Sequence, residues 1–249
     1  MTEQAKCTIG TSVMQNGLVI GELYDLAFPE TTAESNDTSS QNNSGGVKTT
    51  CVGWIENAPM SFKVFYTGST AQETLRTAIY DRDFDTWTVV MPMDFGNNVS
   101  YAWSGQISKC TLVADGSAPA YLDMEVTVNG RISTYTTGAA GLTTPFFSIA
   151  DDDANSLTPS PAASASVYEY DVETYSDSVS VAITPTATAG TIYVDGTKVG
   201  TGVASGPITL NSGVGAVTMV SVAVTELNKT PKIYWIRFRI GTTAQPSSP

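Results

Sequence analysis

Closely spaced carboxylates are the side chains of this chain whose pattern comes nearest to a chemical site. Asp81, Asp83 and Asp85 alternate along the segment YDRDFDTW, and several oxygens at short spacing are what a calcium ion prefers. A calcium loop that opens in this way also needs Gly at its sixth position and Glu at its twelfth, where this sequence has Thr86 and Pro92. We therefore predict a solvated helix-to-strand turn here and no metal site.

The second acidic run, Asp151–Asp153, is followed by the small and proline-containing segment Ser156–Ser166. Short charge runs are usually solvated, so we interpret this run as solvation of a linker. The three cysteines, Cys7, Cys51 and Cys110, are widely spaced and show no CxxC pair, which predicts neither a zinc ribbon nor a disulfide framework. We expect them to be small buried hydrophobic residues in a reducing compartment.

The chain contains no histidine. Histidine is the usual general base near neutral pH and the commonest metal ligand, so its absence removes the Ser-His-Asp and Cys-His arrangements. No phosphate-binding glycine loop, dinucleotide fingerprint or nucleophile elbow is present either. We predict that the protein is not an enzyme, with no catalytic, cofactor-binding or metal-binding residue and no cofactor.

A polar tract from Pro29 to Thr50 interrupts the apolar pattern of the chain. It contains no aromatic residue, and Val47 is its one branched aliphatic residue. Such a segment buries too little apolar surface to order itself, so the sequence predicts a mobile loop. Long loops inside compact domains are uncommon and are usually functional. We expect a partner to order this one, which favours an assembly protein.

The negative charge of the chain is concentrated in its first part. The net charge is −12, and residues 1–159 account for −11 of it, with 18 acidic against 7 basic residues. An acidic surface repels phosphate, so tight binding of nucleic acid is disfavoured. The sequence has no apolar run long enough for a transmembrane helix, and its first ten residues predict no signal peptide.

Period-2 alternation predicts strands along the first part of the chain. Asn129-Gly130 is a tight-turn signal that predicts a hairpin between its flanking strands. A helix is predicted from Thr70, where TAQE fits a capping box, to about Asp81–Asp83. Its apolar face contains Ala71, Leu75, Ala78 and Ile79. The predicted strands are Met60–Tyr66, Thr86–Met91, Val99–Trp103, Ile107–Ala114 and Leu122–Val128.

The last third of the chain has no helical pattern and predicts a β-sandwich of the immunoglobulin-like kind. Asp195-Gly196 marks a hairpin tip. We expect the four tryptophans, Trp54, Trp87, Trp103 and Trp235, to pack in cores. The predicted domains are 1–155 and 167–249, with a linker at 156–166. The predicted strands of the second domain are Val167–Thr174, Val179–Thr184, Thr191–Val194, Lys198–Val199, Ile208–Leu210, Val217–Thr225 and Lys232–Ile240.

The order of these elements resembles the major tail tube protein of bacteriophages with long, non-contractile tails. The resemblance covers residues 8–140: strands in Ser12–Phe28, the polar tract, a return strand near Cys51–Ile55, the capped helix, and the segments TWTVVMPM and SYAWSGQISKCTLVA. The last part is similar to the bacterial immunoglobulin-like or cadherin-like domains of phage structural proteins. Its carrying segments are GTIYVDG, ITLNSG and IYWIRFRI.

This resemblance implies a mainly β fold: an N-terminal tail-tube β-sandwich or barrel with one short helix and a long loop, followed by the second sandwich. It implies a structural virion protein that forms stacked homohexameric rings, with the loop reaching a neighbouring subunit. DNA would pass through an acidic lumen without specific binding, and the second domain would project outward. The implied partners are further copies of the chain, a tape measure protein and a tail terminator, without a membrane. The implied location is the virion tail, assembled in the bacterial cytoplasm.

An alternative stays open at this stage. Two β-domains also suit a decoration, baseplate or surface adhesion module that binds host glycans. A hydrolase with a carboxylate pair is a third and more distant reading, because such a site needs two carboxyl groups about 5–10 Å apart, and the sequence nominates no pair.

Overall fold

The computed structural model describes residues 11–37, 50–68, 70–91, 99–114, 119–164 and 167–244. The predicted fold class is confirmed, because the chain is mainly β and has one short helix within these ranges. No described helix has the length and apolarity to cross a membrane. The strands are β1 Ser12–Gln15, β2 Leu18–Ala27, β3 Thr31–Asp37, β4 Thr50–Asn57, β5 Met60–Phe65, β6 Asp85–Met91, β7 Val99–Gly105, β8 Ile107–Val113, β9 Tyr121–Val126, β10 Asn129–Tyr135, β11 Leu142–Asp151, β12 Ser156–Leu157, β13 Pro159–Ser160, β14 Glu169–Thr174, β15 Ser180–Ala187, β16 Thr191–Val194, β17 Thr197–Val199, β18 Ile208–Thr209, β19 Val217–Thr225 and β20 Lys232–Ile240; the helix α1 is Thr70–Ala78.

The described strands form four sheets. The largest has eight strands in the order β10-β7-β6-β1-β2-β5-β9-β8, and β3 pairs with β4 in a separate two-stranded sheet. The other two sheets have the orders β12-β11-β15-β18 and β13-β14-β20-β19-β16-β17. The chain divides into two compact units: one contains Met1–Gly21, Thr88–Ala102 and Thr134–Pro249, and the other contains Glu22–Trp87 and Trp103–Ser133.

In the second of these units, apolar side chains alternate into one core. Met60, Phe62 and Val64 on β5 are buried, and so are Leu122 and Met124 on β9. In register, β5 pairs antiparallel with β9, so that Phe62 lies opposite Met124 and Val64 opposite Leu122. This is the period-2 pattern of a sheet with one buried and one open face. The predicted strands in this region are confirmed to within two residues.

The buried side of the helix α1 includes a polar residue that was not part of the predicted apolar face. Leu75 is buried as expected, but Gln72 is fully buried too. The Gln72 side chain accepts a hydrogen bond from the amide of Thr67 and donates one to the carbonyl of Phe65, so its burial leaves its amide group satisfied. Glu73 accepts hydrogen bonds from the Tyr66 hydroxyl and the Arg76 guanidinium, while the Thr70 side chain of the predicted capping box lies outside the described residues.

The first unit contains a β-sandwich. Its four-stranded and six-stranded sheets enclose one apolar core, to which Ile149 and Ile183 contribute from one sheet and Val222, Ile236 and Phe238 from the other. All seven strands predicted from residue 167 onward are present. On β20 apolar and charged side chains alternate: Tyr234, Ile236, Phe238 and Ile240 are buried, while Arg237 and Arg239 are exposed.

The sandwich begins earlier in the chain than the sequence indicates. Strand β11, in the predicted first domain, pairs with β15 over Phe147↔Pro185 to Asp151↔Val181. The segment predicted to be a linker contains β12 and β13, and Leu157 within it is buried. Two-residue strands carry almost no hydrophobic periodicity, which is why the pattern missed them. The division into 1–155, 156–166 and 167–249 stays a prediction.

Two turn signals had different outcomes. Asp195-Gly196 joins β16 to β17 as predicted, and both residues have the positive φ values of a tight hairpin, 45° and 78°. The hairpin predicted at Asn129-Gly130 is wrong, because the strands on its two sides do not pair with each other. β9 pairs with β5 and β8, whereas β10 pairs with β7. The amide and the hydroxyl of Thr127 donate to Gln106 O, and the amide of Gln106 donates to Thr127 Oγ1. These bonds hold the chain after the end of β9, before the Asn-Gly pair begins β10.

The polar tract is partly a strand. Residues Thr31–Asp37 form β3 and pair antiparallel with β4, with Thr32 opposite Glu56 and Asn36 opposite Cys51. The expectation of a loop is therefore wrong for these seven residues, since backbone pairing with a neighbouring strand does not require apolar side chains. The remaining part of the tract, 38–49, lies outside the described residues.

The turns of two hairpins lock together within the first unit. A Cβ atom added at Gly17, between β1 and β2, would lie 2.7 Å from the ring of Tyr193, and one added at Gly196 would lie 2.5 Å from Leu18 Cδ1. Behind these turns Met14, Val19, Val90 and Ala223 form a small core, against which Tyr193, Ile233 and Trp235 pack. Both faces of β19 are therefore buried near Ala223.

We expect Gly196→Ala to destabilise the protein by more than Gly202→Ala. Both glycines have positive φ, 78° and 69°, which costs an alanine about 1–2 kcal/mol. At Gly202 nothing lies within 4 Å of the added Cβ, whereas at Gly196 it meets Leu18, which adds about 1–3 kcal/mol of overpacking. Urea denaturation of the two variants measures the difference, and equal losses would show that the turns do not interlock.

Candidate assembly surface

The two-stranded sheet of β3 and β4, here called the ribbon, is the most exposed element of the described chain. The side chains described in it are exposed at 31–34, 55 and 56 and half-buried at Asn57. Ile55 is apolar and still 65% exposed. At its base, Ala58 N donates to Glu30 O at 3.0 Å and Asn57 Nδ2 donates to Gly130 O at 2.9 Å. The ribbon is thus anchored at one end and presents its side chains to solvent.

A ribbon of this kind is poorly stabilised by itself. In the strand order β3 and β4 neighbour only each other, and a lone two-stranded sheet is marginally stable at best in water. Ordering each backbone residue costs about 1–2 kcal/mol, which burial of apolar area normally offsets. None of the described ribbon side chains is buried. The ribbon therefore has the properties of a segment that a second surface must cover.

The sheet formed by β2, β5, β9 and β8 has one covered and one open face. Phe62, Val64, Leu122 and Met124 point to the covered face, where they are no more than 2% exposed. The helix α1 lies against β8. Burial raises the pKa of the Cys110 thiol, with smaller effects of Arg76 and Glu73 on α1, so Cys110 and the helix share this side. The opposite side, here called the open face, has no element over it in the described part of this unit.

A row of alternating charges crosses the open face from strand to strand. Lys63 Nζ lies 3.1 Å from Asp25 Oδ2, and Lys109 Nζ lies 2.8 Å from Asp123 Oδ2 and 3.6 Å from Glu125 Oε1. In register, Lys63 stands opposite Asp123, which joins the two groups. We call these five residues the charge ladder. Lys63 donates a hydrogen bond to Asp25 and Lys109 donates one to Asp123. Each bond raises the pKa of the lysine that donates it, so both lysines are held in their charged form.

Three aromatic side chains occupy one end of the open face. The ring of Tyr24 meets Phe65 edge-on at 5.3 Å and stacks on Tyr121 at 5.9 Å between centroids. Lys63 Nζ lies 5.7 Å from the centre of the Tyr121 ring, within the range of a cation–π contact. Tyr24 is the extra residue of a bulge between Leu23 and Asp25, and 57% of it is exposed. Single-sequence patterning missed this cluster because a bulge breaks period-2 alternation.

The acidic residues considered from the sequence lie elsewhere. Asp81 and Asp83 are exposed in the turn after α1, and Asp85 is half-buried at the start of β6. Within the described ranges no group of three or more His, Cys, Asp or Glu side chains is placed to hold a metal ion. Of the three cysteines, Cys110 is described as a free, half-buried thiol; Cys7 and the side chain of Cys51 lie outside the described residues.

The tryptophan prediction holds for the three tryptophans whose side chains are described. Trp87 and Trp103 are buried, and Trp87 Nε1 donates to Gly105 O at 3.2 Å. Trp235 is half-buried against the small core behind the hairpin turns. The side chain of Trp54 is not among those described.

Asp151 orders a turn and does not solvate a linker, so that interpretation is wrong. It is buried at the end of β11, and its Oδ1 accepts from the amides of Asp153 at 3.1 Å and Asn155 at 2.7 Å. Its Oδ2 accepts from Asn155 Nδ2 at 3.0 Å. Asp152 Oδ1 accepts from the amide of Val179 at 3.2 Å. Short polar side chains commonly bind backbone amides in this way, and the pattern is hard to separate from a solvated run by composition alone.

Comparison with known proteins gives distant structural likenesses. Hcp1 from Flavobacterium johnsoniae is 14% identical, covering 51% of this chain and 94% of its own, with a TM-score of 0.38. The tail of an empty GTA particle, refined with C6 symmetry, is 18% identical over 52% and 97%, with a TM-score of 0.40. The PVC sheath/tube terminator of an extracellular contractile injection system, in its extended state, is 11% identical over 54% and 99%, with a TM-score of 0.44.

No protein-family model and no curated protein matches this chain. TM-scores below 0.5 at such low identity assign no function, so we base no functional conclusion on these likenesses.

We expect Asp151→Ala to lower the free energy of unfolding by about 2–3 kcal/mol, because it leaves two backbone amides without their charged acceptor. Asp153→Ala is the control, since it removes an exposed carboxylate with the same charge from the same turn. Urea denaturation monitored by circular dichroism measures both. Equal effects would mean that the hydrogen bonds of Asp151 do not stabilise the sandwich.

Proposed function

We propose that this chain is a structural subunit that assembles with copies of itself into a phage-type tail tube. The subunits form homohexameric rings that stack, as in the long, non-contractile tails that the sequence resembles, and DNA passes through the lumen. The protein has no catalytic activity. A tape measure protein and a tail terminator complete the assembly, which forms in the bacterial cytoplasm and functions in the virion tail, with the sandwich projecting outward.

The ribbon is the observation that carries this proposal. It is anchored at one end, it exposes Ile55, and it pairs with no other described strand. Ordering such an element costs conformational entropy, and contacts with a surface that covers it can offset this cost. A neighbouring copy of the chain is a partner that is present wherever the subunit is made. We therefore assign the ribbon to contacts between subunits.

The edges of the sheets support the same proposal. The eight-stranded sheet ends in β8 and β10, each of seven residues. The sandwich sheets end in β12, β18, β13 and β17, none longer than three residues. Long edges are templates for pairing with another chain, and short edges suppress it. We therefore assign extension by further subunits to the two seven-residue edges of the eight-stranded sheet.

The distribution of charge is compatible with a channel for DNA. Residues 1–159 carry a net charge of −11, and phosphate is repelled by such a surface. A subunit with this charge does not bind nucleic acid tightly, and weak binding is what a channel for DNA requires. The alternative of a glycan-binding module needs an exposed aromatic platform; in the sandwich Trp235 is half-buried and packed on the small core, which does not favour it.

We expect Ile55→Glu to abolish assembly while leaving the subunit folded, because it places a charge at the exposed apolar residue of the ribbon. Leu227→Glu is the matched control, since Leu227 is 89% exposed in the sandwich. Negative-stain electron microscopy of concentrated protein, with mass by light scattering, reads out the result. Six-fold rings or tubes for the wild type and the control, and monomers for Ile55→Glu, are expected.

A wild-type protein that stays monomeric at every concentration, also with a tail-initiating complex added, would overturn the proposal. Retention on a glycan array by that monomer would then establish the adhesion alternative. Rings that still form with Ile55→Glu would remove the ribbon from the contact.

Assembly is expected to depend on ionic strength. Each subunit has a net charge of −12, so copies repel one another, and the screening length falls from about 30 Å at 0.01 M salt to about 10 Å at 0.1 M. The concentration at which assemblies first appear, measured by light scattering, should therefore fall as salt rises over this range. A rise would show that attractive ion pairs between subunits dominate instead.

A further inference from the structure

We propose that the open face of the sheet lines the channel of the tube, and that the charge ladder keeps Lys63 and Lys109 from binding the phosphates of passing DNA. The inference rests on the tail-tube function proposed above and deepens it. It explains the weak binding of DNA by the ion pairs that the lysines of this face form with neighbouring carboxylates.

The covering of the two sheet faces decides which one meets the channel. One face is sealed by core side chains, among them Phe62 and Met124, and by α1 on β8. The other carries charged and aromatic side chains and has no element over it in the described part of this unit. A channel wall has to be hydrated and free of covering elements. The open face meets both conditions and the helix side meets neither.

The open face is less acidic than the chain as a whole. Its ladder has three carboxylates, Asp25, Asp123 and Glu125, against Lys63 and Lys109, a net charge of −1. Other acidic residues of the first 159 lie on the ribbon, at Glu34 and Glu56, at its base, at Glu30, and in the turn after α1. Among the described side chains of this face the surplus of negative charge is therefore small, and their repulsion alone gives a weak barrier to contact with phosphate.

The ion pairs of Lys63 and Lys109 provide a second reason for weak binding of phosphate. A lysine that neutralises a phosphate releases condensed counterions, and each such contact contributes about 0.9 to the salt dependence of binding. Two free lysines repeated in every subunit of a ring would add many such contacts and slow the DNA. In the ladder each ammonium group already lies within 3.1 Å of a carboxylate oxygen. To bind phosphate it would first have to leave that partner.

The test is the double variant D25N/D123N, which keeps the size of both side chains and removes the closest partner of each lysine. We expect tubes of this variant to bind short duplex DNA more tightly than wild-type tubes in fluorescence anisotropy. The slope of log affinity against log salt should steepen by at least about 1 to 2, the value for the two lysines of one subunit. Adding K63Q/K109Q should return the affinity to the wild-type level.

A matched control separates pairing from net charge. E73Q/D171N makes the same change of two charges and frees Arg76 and Arg237 from their ion pairs, but neither residue is on the open face. DNA affinity of its tubes should stay at the wild-type level. No gain in D25N/D123N, or an equal gain in the control, would overturn the inference.

The position of the open face is tested separately by labelling. Thr111 is exposed and lies opposite Asp123 on this face. In a background with the three native cysteines replaced by serine, T111C is biotinylated and assembled. Streptavidin is too large to enter a narrow channel, so it should bind the labelled monomer and not the tubes. L227C, on the sandwich, should be bound in both states; binding to T111C tubes would show that this face is outside.

These readouts keep two failures apart. Electron microscopy of the wild type reports on the tail-tube function by itself. Wild-type tubes with unchanged DNA binding in D25N/D123N would refute the charge ladder and leave the function standing, whereas wild-type monomers would remove the channel and the inference with it.

Discussion

Every strand has to find partners for its backbone amides and carbonyls, and this requirement organises the whole molecule. In the sandwich the long strands β19 and β20 lie between neighbours, and the outermost described strands have two or three residues. In the eight-stranded sheet the requirement is met except along β8 and β10, and in the ribbon it is met by a single neighbour. The described sheets therefore differ in how far strands of the same chain cover their edges.

The sequence predicted strands well where one face is buried. Met60, Phe62 and Val64 are apolar because the core requires it, and their period-2 spacing records the sheet directly. β3 has no such hydrophobic spacing, because its side chains are mostly polar. This strand is formed by backbone pairing with β4 across the ribbon. The same limit hid β12 and β13, which are too short for any period to show.

Turn chemistry was informative only in combination with pairing. Asp195-Gly196 formed its hairpin because the residues on both sides pair with each other. Asn129-Gly130 has the same local preference for positive φ, but the strand before it is already paired on both sides by β5 and β8. The open face could not be predicted from the sequence for a related reason. Its charge ladder joins residues up to about 100 positions apart in the chain, and only the strand order brings them together.

The small core behind the interlocking turns imposes an order in time. Met14 and Val19, near the beginning of the chain, pack with Ala223, Ile233 and Trp235, some two hundred residues later. During synthesis at roughly 5–20 residues per second, Val90 is the first partner of Met14 and Val19 to leave the ribosome, and the rest of this core has to wait for β19 and β20. Completion of this core is thereby tied to synthesis of β20, so a product that is truncated before that strand lacks the contacts that hold the two hairpin turns together.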